Sequence, residues 1–263
     1  MPMLEPPGRC AVTSPSASSL RRRRWSAAGG AAALLASLLV GCAPRAAHLR
    51  VDCQDADARL SAIWEPLRAA IVDPDGCRSL WTRGAPDPCA AWQRDLQRLA
   101  FVCPAHAPTL MVNAVLAYED RRLTTAQQYL DDLFQVQPAH PEAAILRARV
   151  ALEEGNLPFA RRFLADQIRL RPDHAALREV YAGVLYLAAD LQAARVNLRV
   201  AENLGAPAWR LAYHRGLIEE AASNVADAER SYEAALAARP GWEPPARRLK
   251  GLRARAGQSN GTR

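Results

Sequence analysis

Residues 141–174 read PEAAILRARVALEEGNLPFARRFLADQIRLRPDH, and residues 175–208 follow the same plan as AALREVYAGVLYLAADLQAARVNLRVAENLGAPA. Each stretch has 34 residues, with alanine at its eighth and twentieth places. The plan extends by one unit in each direction, to residues 107–140 and 209–242. A fixed period of this length predicts stacked structural units in place of a single globular core.

Three columns of residues share this period. The eighth place of each unit holds a very small residue, at Ala114, Ala148, Ala182 and Gly216. The twentieth place holds alanine, at Ala126, Ala160, Ala194 and Ala228. A third column, near the end of each unit, reads Pro138, Pro172, Ala206 and Pro240. Because such small side chains leave no bulk between two backbones, the first two columns predict paired helices in close contact.

The pattern resembles the tetratricopeptide repeat family, whose units are two helices joined by a turn. The resemblance covers residues 107–242 as four repeats. It implies an all-α fold, a right-handed superhelical solenoid of helix–turn–helix units. The sequence departs from the family in lacking the consensus tryptophan near the start of each unit, and in having its third proline displaced to Pro207.

The N-terminal 41 residues have the features of an export signal. A basic stretch, Arg21 to Arg24, precedes a short apolar run that ends Leu39-Val40-Gly41-Cys42. This ending resembles the lipobox of bacterial lipoproteins and implies a lipid anchor on Cys42, with residues 42–52 as a tether. By the sorting rule of enteric bacteria, Ala43 after the cysteine favours the periplasmic face of the outer membrane. An ordinary signal peptide cut elsewhere, or an N-terminal anchor helix, is the alternative.

Removal of residues 1–41 would take away five arginines and one glutamate. The net charge would fall from +7 to +3, with 29 basic and 26 acidic residues left. Most of the basic character therefore belongs to the signal, and the charge gives no support for nucleic-acid binding.

Residues 53–106 are predicted to form a cysteine-rich helical cap, with helices over 54–72, over 75–83 and from Pro88 onward. Residues 73–104 fall in phase with the repeats as a degenerate unit. At the other end, residues 243–255 are predicted to form a capping helix and residues 256–263 a disordered tail. The fold class is thus a solenoid with a disulfide-braced N-terminal cap.

The four cysteines of the cap are predicted to be oxidised, because export places them in an oxidising compartment. An up-down-up arrangement of three helices predicts the pairs Cys53–Cys89 and Cys77–Cys103. A zinc site is the alternative, disfavoured because the sequence has no Cys-x-x-Cys pair.

The family resemblance implies that the first helices of the units line a concave face. An apolar, tyrosine-rich strip occupies that face, and tyrosine and arginine are frequent at binding hot spots. The predicted partner-binding residues are Met111, Val115, Tyr118, Ile145, Arg149, Leu152, Glu179, Tyr186, Tyr213 and Leu217. The lysine and asparagine that clamp a terminal carboxylate in some family members are missing. An extended or helical apolar segment of another envelope protein is therefore the expected partner.

The sequence carries no GxSxG, HExxH or phosphate-binding glycine motif, so no catalytic residue, cofactor or metal is predicted. His106, His140 and His174 repeat every 34 residues. Adjacent helices lie about 10 Å apart, too far for one zinc ion to bridge, and these histidines are interpreted as helix-start residues.

The predicted function is that of a lipid-anchored protein–protein interaction adaptor of the bacterial cell envelope, held at a membrane by its lipid. The chain resembles envelope assembly lipoproteins such as the pilotins of type IV pili and the factors for outer-membrane protein insertion. A carrier of small ligands and a peptidoglycan-associated binding module are the alternatives.

Overall fold

The computed structural model describes residues 53–73 and 87–260, with side chains up to Arg255. These residues form eleven α-helices and no strand. The helices are α1 Ala56–Val72, α2 Pro88–Val102, α3 Ala107–Glu119, α4 Leu123–Val136, α5 Pro141–Glu153, α6 Leu157–Leu170, α7 Ala175–Leu187, α8 Leu191–Asn203, α9 Ala208–Ala221, α10 Val225–Ala238 and α11 Glu243–Asn260. The predicted signal, Cys42, the tether, the helix over 75–83 and Cys77 lie outside the described residues.

Eight of these helices form four successive pairs, α3–α4, α5–α6, α7–α8 and α9–α10. The two helices of each pair are joined by a turn of three residues. Side chains shared between units connect the successive cores: Phe134 packs against the first and second, and Tyr181 against the second and third. The predicted helical solenoid is therefore confirmed in the described part of the chain.

The small-residue columns lie where the two helices of a pair meet. The seven alanines of these columns are all fully buried, at 0% exposure, and Gly216 is buried as well. The large residue four places after each second-helix alanine is also buried, at Leu130, Leu164, Leu198 and Tyr232. Close helix contact through small residues is thus the packing that the sequence predicted.

The fourth unit has a different pair of residues at the contact between its two helices. Tyr232 stands where the other units have leucine, and its ring is fully buried. A Cβ atom built on Gly216 would lie 2.5 Å from Cδ1 of Tyr232, inside the ring's van der Waals surface. Glycine at 216 therefore makes room for the tyrosine, whose hydroxyl donates to Oε2 of Glu220 at 2.7 Å.

The turn inside each unit ends the first helix with the same backbone motif. One residue in every turn has a positive φ, at Arg121, Gly155, Ala189 and Ser223. The amide of the next residue donates a hydrogen bond to the carbonyl five residues earlier, as in Asp190 N to Leu185 O at 2.9 Å. These are the bonds of the Schellman motif, which usually has glycine at this position. Three of the four turns therefore hold a side chain in the left-handed region, where it is strained.

We expect Ala189→Gly to raise the free energy of unfolding by about 0.5–1 kcal/mol, because glycine adopts the left-handed conformation without a Cβ clash. The measurement is urea denaturation. Ala188 has φ −82, so Ala188→Gly is the matched control and should lower stability. An equal loss in both variants would contradict the strain at Ala189.

Histidine stands immediately before three of the first helices, as the sequence predicted: His106 before α3, His140 before α5 and His174 before α7. His140 Nδ1 accepts a hydrogen bond from the amide of Ala143 at 3.2 Å, and His174 Nδ1 accepts from Leu177 at 3.3 Å. His106 instead contacts Thr109 Oγ1 at 2.6 Å and Asp57 Oδ1 at 3.1 Å. The interpretation of all three histidines as helix-start residues is confirmed, and His140 and His174 also cap their helices through the side chain.

The N-terminal cap differs from the prediction in its disulfides. Cys53 is bonded to Cys103, with the two Cα atoms 5.8 Å apart. Both predicted pairs, Cys53–Cys89 and Cys77–Cys103, are therefore wrong. Cys89 is also disulfide-bonded.

The reason for the wrong pairing is the packing of the cap helices. The prediction placed a third helix between the two longer ones, whereas α1 and α2 pack directly together through Leu60, Leu67, Leu96 and Leu99. In such a helical hairpin the start of the first helix lies beside the end of the second. Cys53 precedes α1 and Cys103 follows α2, and the disulfide joins them.

The C-terminal helix runs further than predicted. Helix α11 ends at Asn260, whereas the prediction ended it at Arg255 and made the following residues disordered. The added stretch includes Gly257, and one glycine costs a helix only about 1 kcal/mol and does not by itself end it. Leu249 and Leu252 pack against the last unit as expected. Residues 261–263 lie outside the described residues.

Candidate functional site

A groove with a volume of about 500 Å³ runs across the first helices of the second, third and fourth units. Helix α7 forms its floor, and α5 and α9 form its two sides. The described residues that line it are Arg149, Leu152, Glu179, Val180, Gly183, Val184, Tyr186, Leu187, Trp209, Arg210, Tyr213, His214, Leu217 and Trp242. The lining is mainly apolar and aromatic, with a few charged groups, as in binding pockets generally.

Six of the ten predicted partner-binding residues line this groove. They are Arg149, Leu152, Glu179, Tyr186, Tyr213 and Leu217. The other four lie elsewhere: Met111, Val115 and Tyr118 pack against the core of the first unit, and Ile145 packs against the core of the second. The structure thus groups the predicted residues of the last three units and separates those near the cap. Their role in binding stays a prediction.

The sequence reasoning missed several residues of the groove. Arg210 stands at the second place of the fourth unit, a place the family uses for its concave face, so a signal for it was present. Trp209 begins that unit. Trp242 lies in the turn between α10 and α11, outside any first helix, and no repeat column points to it.

Glu179 is a buried carboxylate at the floor of the groove, with only 2% of its surface exposed. Arg210 Nε donates to Glu179 Oε1 at 2.6 Å, and His214 Nε2 lies 3.4 Å from the same oxygen. The other oxygen, Oε2, is buried without a hydrogen-bond partner among the described residues. Burial alone would raise the pKa of Glu179, but the hydrogen bonds from His214 and Arg210 and the nearby positive charge lower it below its ordinary value.

Because the pKa of Glu179 is lowered on folding, its charge stabilises the fold above the unfolded-state pKa of about 4.3. That contribution is lost as the pH falls through the lower folded-state value. We expect Glu179→Gln to lower the free energy of unfolding at pH 7 by about 1–3 kcal/mol. The difference from the wild type should shrink below about pH 4.

Urea denaturation at a series of pH values measures this difference. Glu119 is exposed, and Glu119→Gln serves as the control with a much smaller effect. A loss in Glu179→Gln that stays constant from pH 7 to pH 3 would contradict an ionised Glu179.

Three aromatic rings form a cluster at the end of the groove nearest α11. The centroids of Trp209 and Trp242 lie 4.7 Å apart with their planes nearly perpendicular, at 89°. Tyr213 lies 4.9 Å from Trp242, also edge to face. The guanidinium of Arg239 sits 4.3 Å above the ring of Trp209. Edge-to-face pairs of this kind hold rings in fixed orientations and present a firm apolar wall to the groove.

Arg149 carries the free positive charge at the opposite side of the groove. Its side chain is exposed, and it forms no ion pair or hydrogen bond within residues 53–73 and 87–255. Burial and the hydrogen bond to Glu153 raise the pKa of nearby Tyr118, and the charge of Arg149 opposes that rise. Glu153, in turn, is paired with Arg121. The guanidinium of Arg149 is therefore available to a ligand.

Two further features concern the described residues alone. No helix in residues 53–73 and 87–260 is both long enough and apolar enough to cross a bilayer. The same residues contain no group of three or more histidine, cysteine, aspartate or glutamate side chains placed to hold a metal ion.

Paired helices stacked at a 34-residue period, with small residues at the contact, define the class of helical-repeat proteins. More particularly, residues 117–184 match the tetratricopeptide repeat family. The match lies within the first three units and includes α5 and most of α7. It supports the repeat family and indicates no catalytic family. No curated protein matches the chain.

Solved structures of tetratricopeptide repeat proteins have the same fold. A thermophilic protein from Thermus thermophilus is 16% identical with a TM-score of 0.56, and the match covers 72% of this chain and 98% of that one. A protein from Parabacteroides merdae is 20% identical with a TM-score of 0.52, covering 62% of this chain. The match spans 64% of that protein's own length.

MamA from Desulfovibrio magneticus is 14% identical with a TM-score of 0.50, covering 70% of this chain and 93% of that one. At such identities the likeness concerns the fold alone. Stacked repeats of this kind present an extended concave surface that is suited to binding other proteins.

Proposed function

We propose that this protein is a lipid-anchored adaptor of the bacterial cell envelope that binds a segment of a partner protein in the groove. The observation that supports binding most strongly is the groove itself. Three first helices contribute to it, its lining is apolar, and Leu187 within it is 55% exposed. A large apolar side chain left exposed inside a concave surface is typical of an interaction site.

The partner-binding part of the proposal is tested by affinity capture from detergent-solubilised membranes. We expect one protein to be enriched reproducibly with the tagged wild type and to be lost with Tyr186→Ala/Tyr213→Ala. Because Tyr186 also packs against the repeat cores, Leu187→Asp is a second variant that changes only an exposed side chain. Tyr129 lies on a second helix outside the groove, and Tyr129→Ala is the control.

Equal capture by the wild type and both groove variants would place the binding site elsewhere. Enrichment lost with Tyr129→Ala as well would point to unfolding as the cause of the loss. Circular dichroism of each variant, recorded before capture, separates these two outcomes.

The anchor part of the proposal rests on the sequence Leu39-Val40-Gly41-Cys42 and its likeness to a lipobox. A tether of 11 residues, from Cys42 to Asp52, reaches at most about 35–40 Å. The groove would then work close to the membrane surface. Cys42→Ala is expected to abolish labelling by radioactive palmitate and to release the protein from the membrane fraction, whereas Cys10→Ala should change neither. A labelled Cys42→Ala protein would refute the anchor.

A small ligand is a second candidate occupant, and the size of the groove is the observation that favours it. Small-molecule sites usually measure about 300–1,000 Å³, and this groove has about 500 Å³. Native mass spectrometry of the protein purified from its host distinguishes the two. A constant mass increment of a few hundred daltons, lost with Leu187→Asp, would favour the carrier over the adaptor.

A further inference from the structure

We infer that the groove selects an extended segment with an acidic side chain about three to six residues away from a large apolar side chain. This inference deepens the proposed function and depends on it. It assigns Arg149 as the residue that binds the carboxylate and the aromatic cluster as the receptor of the apolar side chain.

The charge balance of the groove determines which charge the bound segment should carry. Glu179 supplies the one carboxylate among the described lining residues, and it is already bonded to Arg210. Arg149 forms no ion pair among the described residues. The unbalanced charge of the groove is positive, so a cationic segment would be repelled and an acidic one attracted.

The apolar wall determines the second requirement. Trp209, Tyr213 and Trp242 hold one another edge to face, and burying an apolar side chain against such a wall is favourable. One face of the Trp209 ring is already covered by Arg239. The wall is therefore suited to a neutral apolar side chain, because a cationic one would meet that guanidinium.

The positions of these two features on the fold give the spacing. Arg149 lies on α5 and the aromatic cluster on and beside α9, with α7 in contact with both helices. Adjacent packed helices lie about 8–10 Å apart, so the two features are separated by about 16–20 Å. An extended chain advances about 3.3 Å per residue. Because the side chains of the groove and of the bound segment both shorten this distance, the acidic and apolar residues of the segment should lie about three to six residues apart.

The acidic group is expected to be a side chain within the segment and not a chain terminus. The groove is open to solvent, and the two recognition features, Arg149 and the aromatic cluster, both lie on its walls. Amidated peptides, which lack a free terminal carboxylate, distinguish the two sources of the same chemistry.

The test is a selection with the purified full chain from a display library of random dodecapeptides, all C-terminally blocked. We expect the enriched peptides to contain aspartate or glutamate about three to six residues from tryptophan, phenylalanine or leucine well above the starting frequency. The best peptide should bind Arg149→Ala about tenfold more weakly, as loss of a charge-assisted hydrogen bond implies.

The charge-reversal variant gives the sharper readout. Arg149→Glu should enrich peptides with lysine or arginine at the position where the wild type selects an acid. Arg162 is exposed on α6, outside the groove, and Arg162→Glu should select the same acidic peptides as the wild type.

The outcomes separate this inference from the proposed function. Peptides that bind the wild type and fail to bind Leu187→Asp, yet show no acidic preference, would overturn the inference and leave groove binding intact. The same acidic peptides selected by Arg149→Glu would also overturn it. A library from which nothing is enriched would contradict both the inference and segment binding in the groove.

Discussion

Replacing Gly216 by alanine is expected to lower the free energy of unfolding by about 3 kcal/mol. Glycine to alanine in the middle of a helix normally raises stability by about 1 kcal/mol. A loss of stability would therefore itself indicate a steric clash at this position. The added methyl would lie 2.5 Å from Cδ1 of Tyr232. Because that ring is fully buried, it can make room only by displacing the packing of α9 against α10.

Two further variants make the explanation specific. Gly183 also lies in a first helix, but a Cβ there would be 3.5 Å from His214, an ordinary contact. Gly183→Ala should therefore be neutral or stabilising. Gly216→Ala/Tyr232→Leu restores the alanine–leucine pair of the other three units and should recover most of the lost stability, as a coupling energy of about 2 kcal/mol. A Gly216→Ala variant as stable as the wild type in urea denaturation would show that the ring can move freely.

Removal of the disulfide between Cys53 and Cys103 is expected to destabilise the N-terminal cap by about 4 kcal/mol. The two cysteines are 50 residues apart, and closing a loop of that length removes about this much conformational free energy from the unfolded state. Cys53→Ser/Cys103→Ser avoids leaving a free thiol. Hydrogen exchange measured by mass spectrometry should show protection in α1 and α2 reduced by about a thousandfold.

The effect should be local. In repeat proteins each unit contacts only its neighbours, so protection in α9 and α10 should change little and provides an internal control. Loss of protection along the whole array would mean that the solenoid unfolds as one cooperative unit. Unchanged protection in α1 would mean that the leucine contacts between α1 and α2 hold the cap without the disulfide.

The sequence was most informative where one residue type has one physical reason to be present. The alanines at places eight and twenty can only serve close helix contact, and repetition at a fixed period turns weak local signals into a firm prediction of fold. The same reasoning identified His106, His140 and His174 as helix-start residues. Features that every unit shares are visible in the sequence because they recur.

Features that occur once were not predictable in the same way. Arg121, Ala189 and Ser223 give no sign of their left-handed backbone, because only Gly155 in that column is the residue the conformation favours. The burial of Glu179 depends on Arg210 and His214, which come from another helix. The pairing of Cys53 with Cys103 depends on which two helices pack together, which cysteine spacing alone leaves open.

The groove crosses three first helices and is completed by Trp242 in the turn between α10 and α11, so its length is set by repeat number. One additional repeat inserted between the second and third units would move the two recognition features about 10 Å further apart. A segment matched to the present array would then fit at only one end. The number of units therefore sets the distance between the two recognition features. A change in that number would alter which partners the groove accepts, even if Arg149 and the aromatic cluster stayed the same.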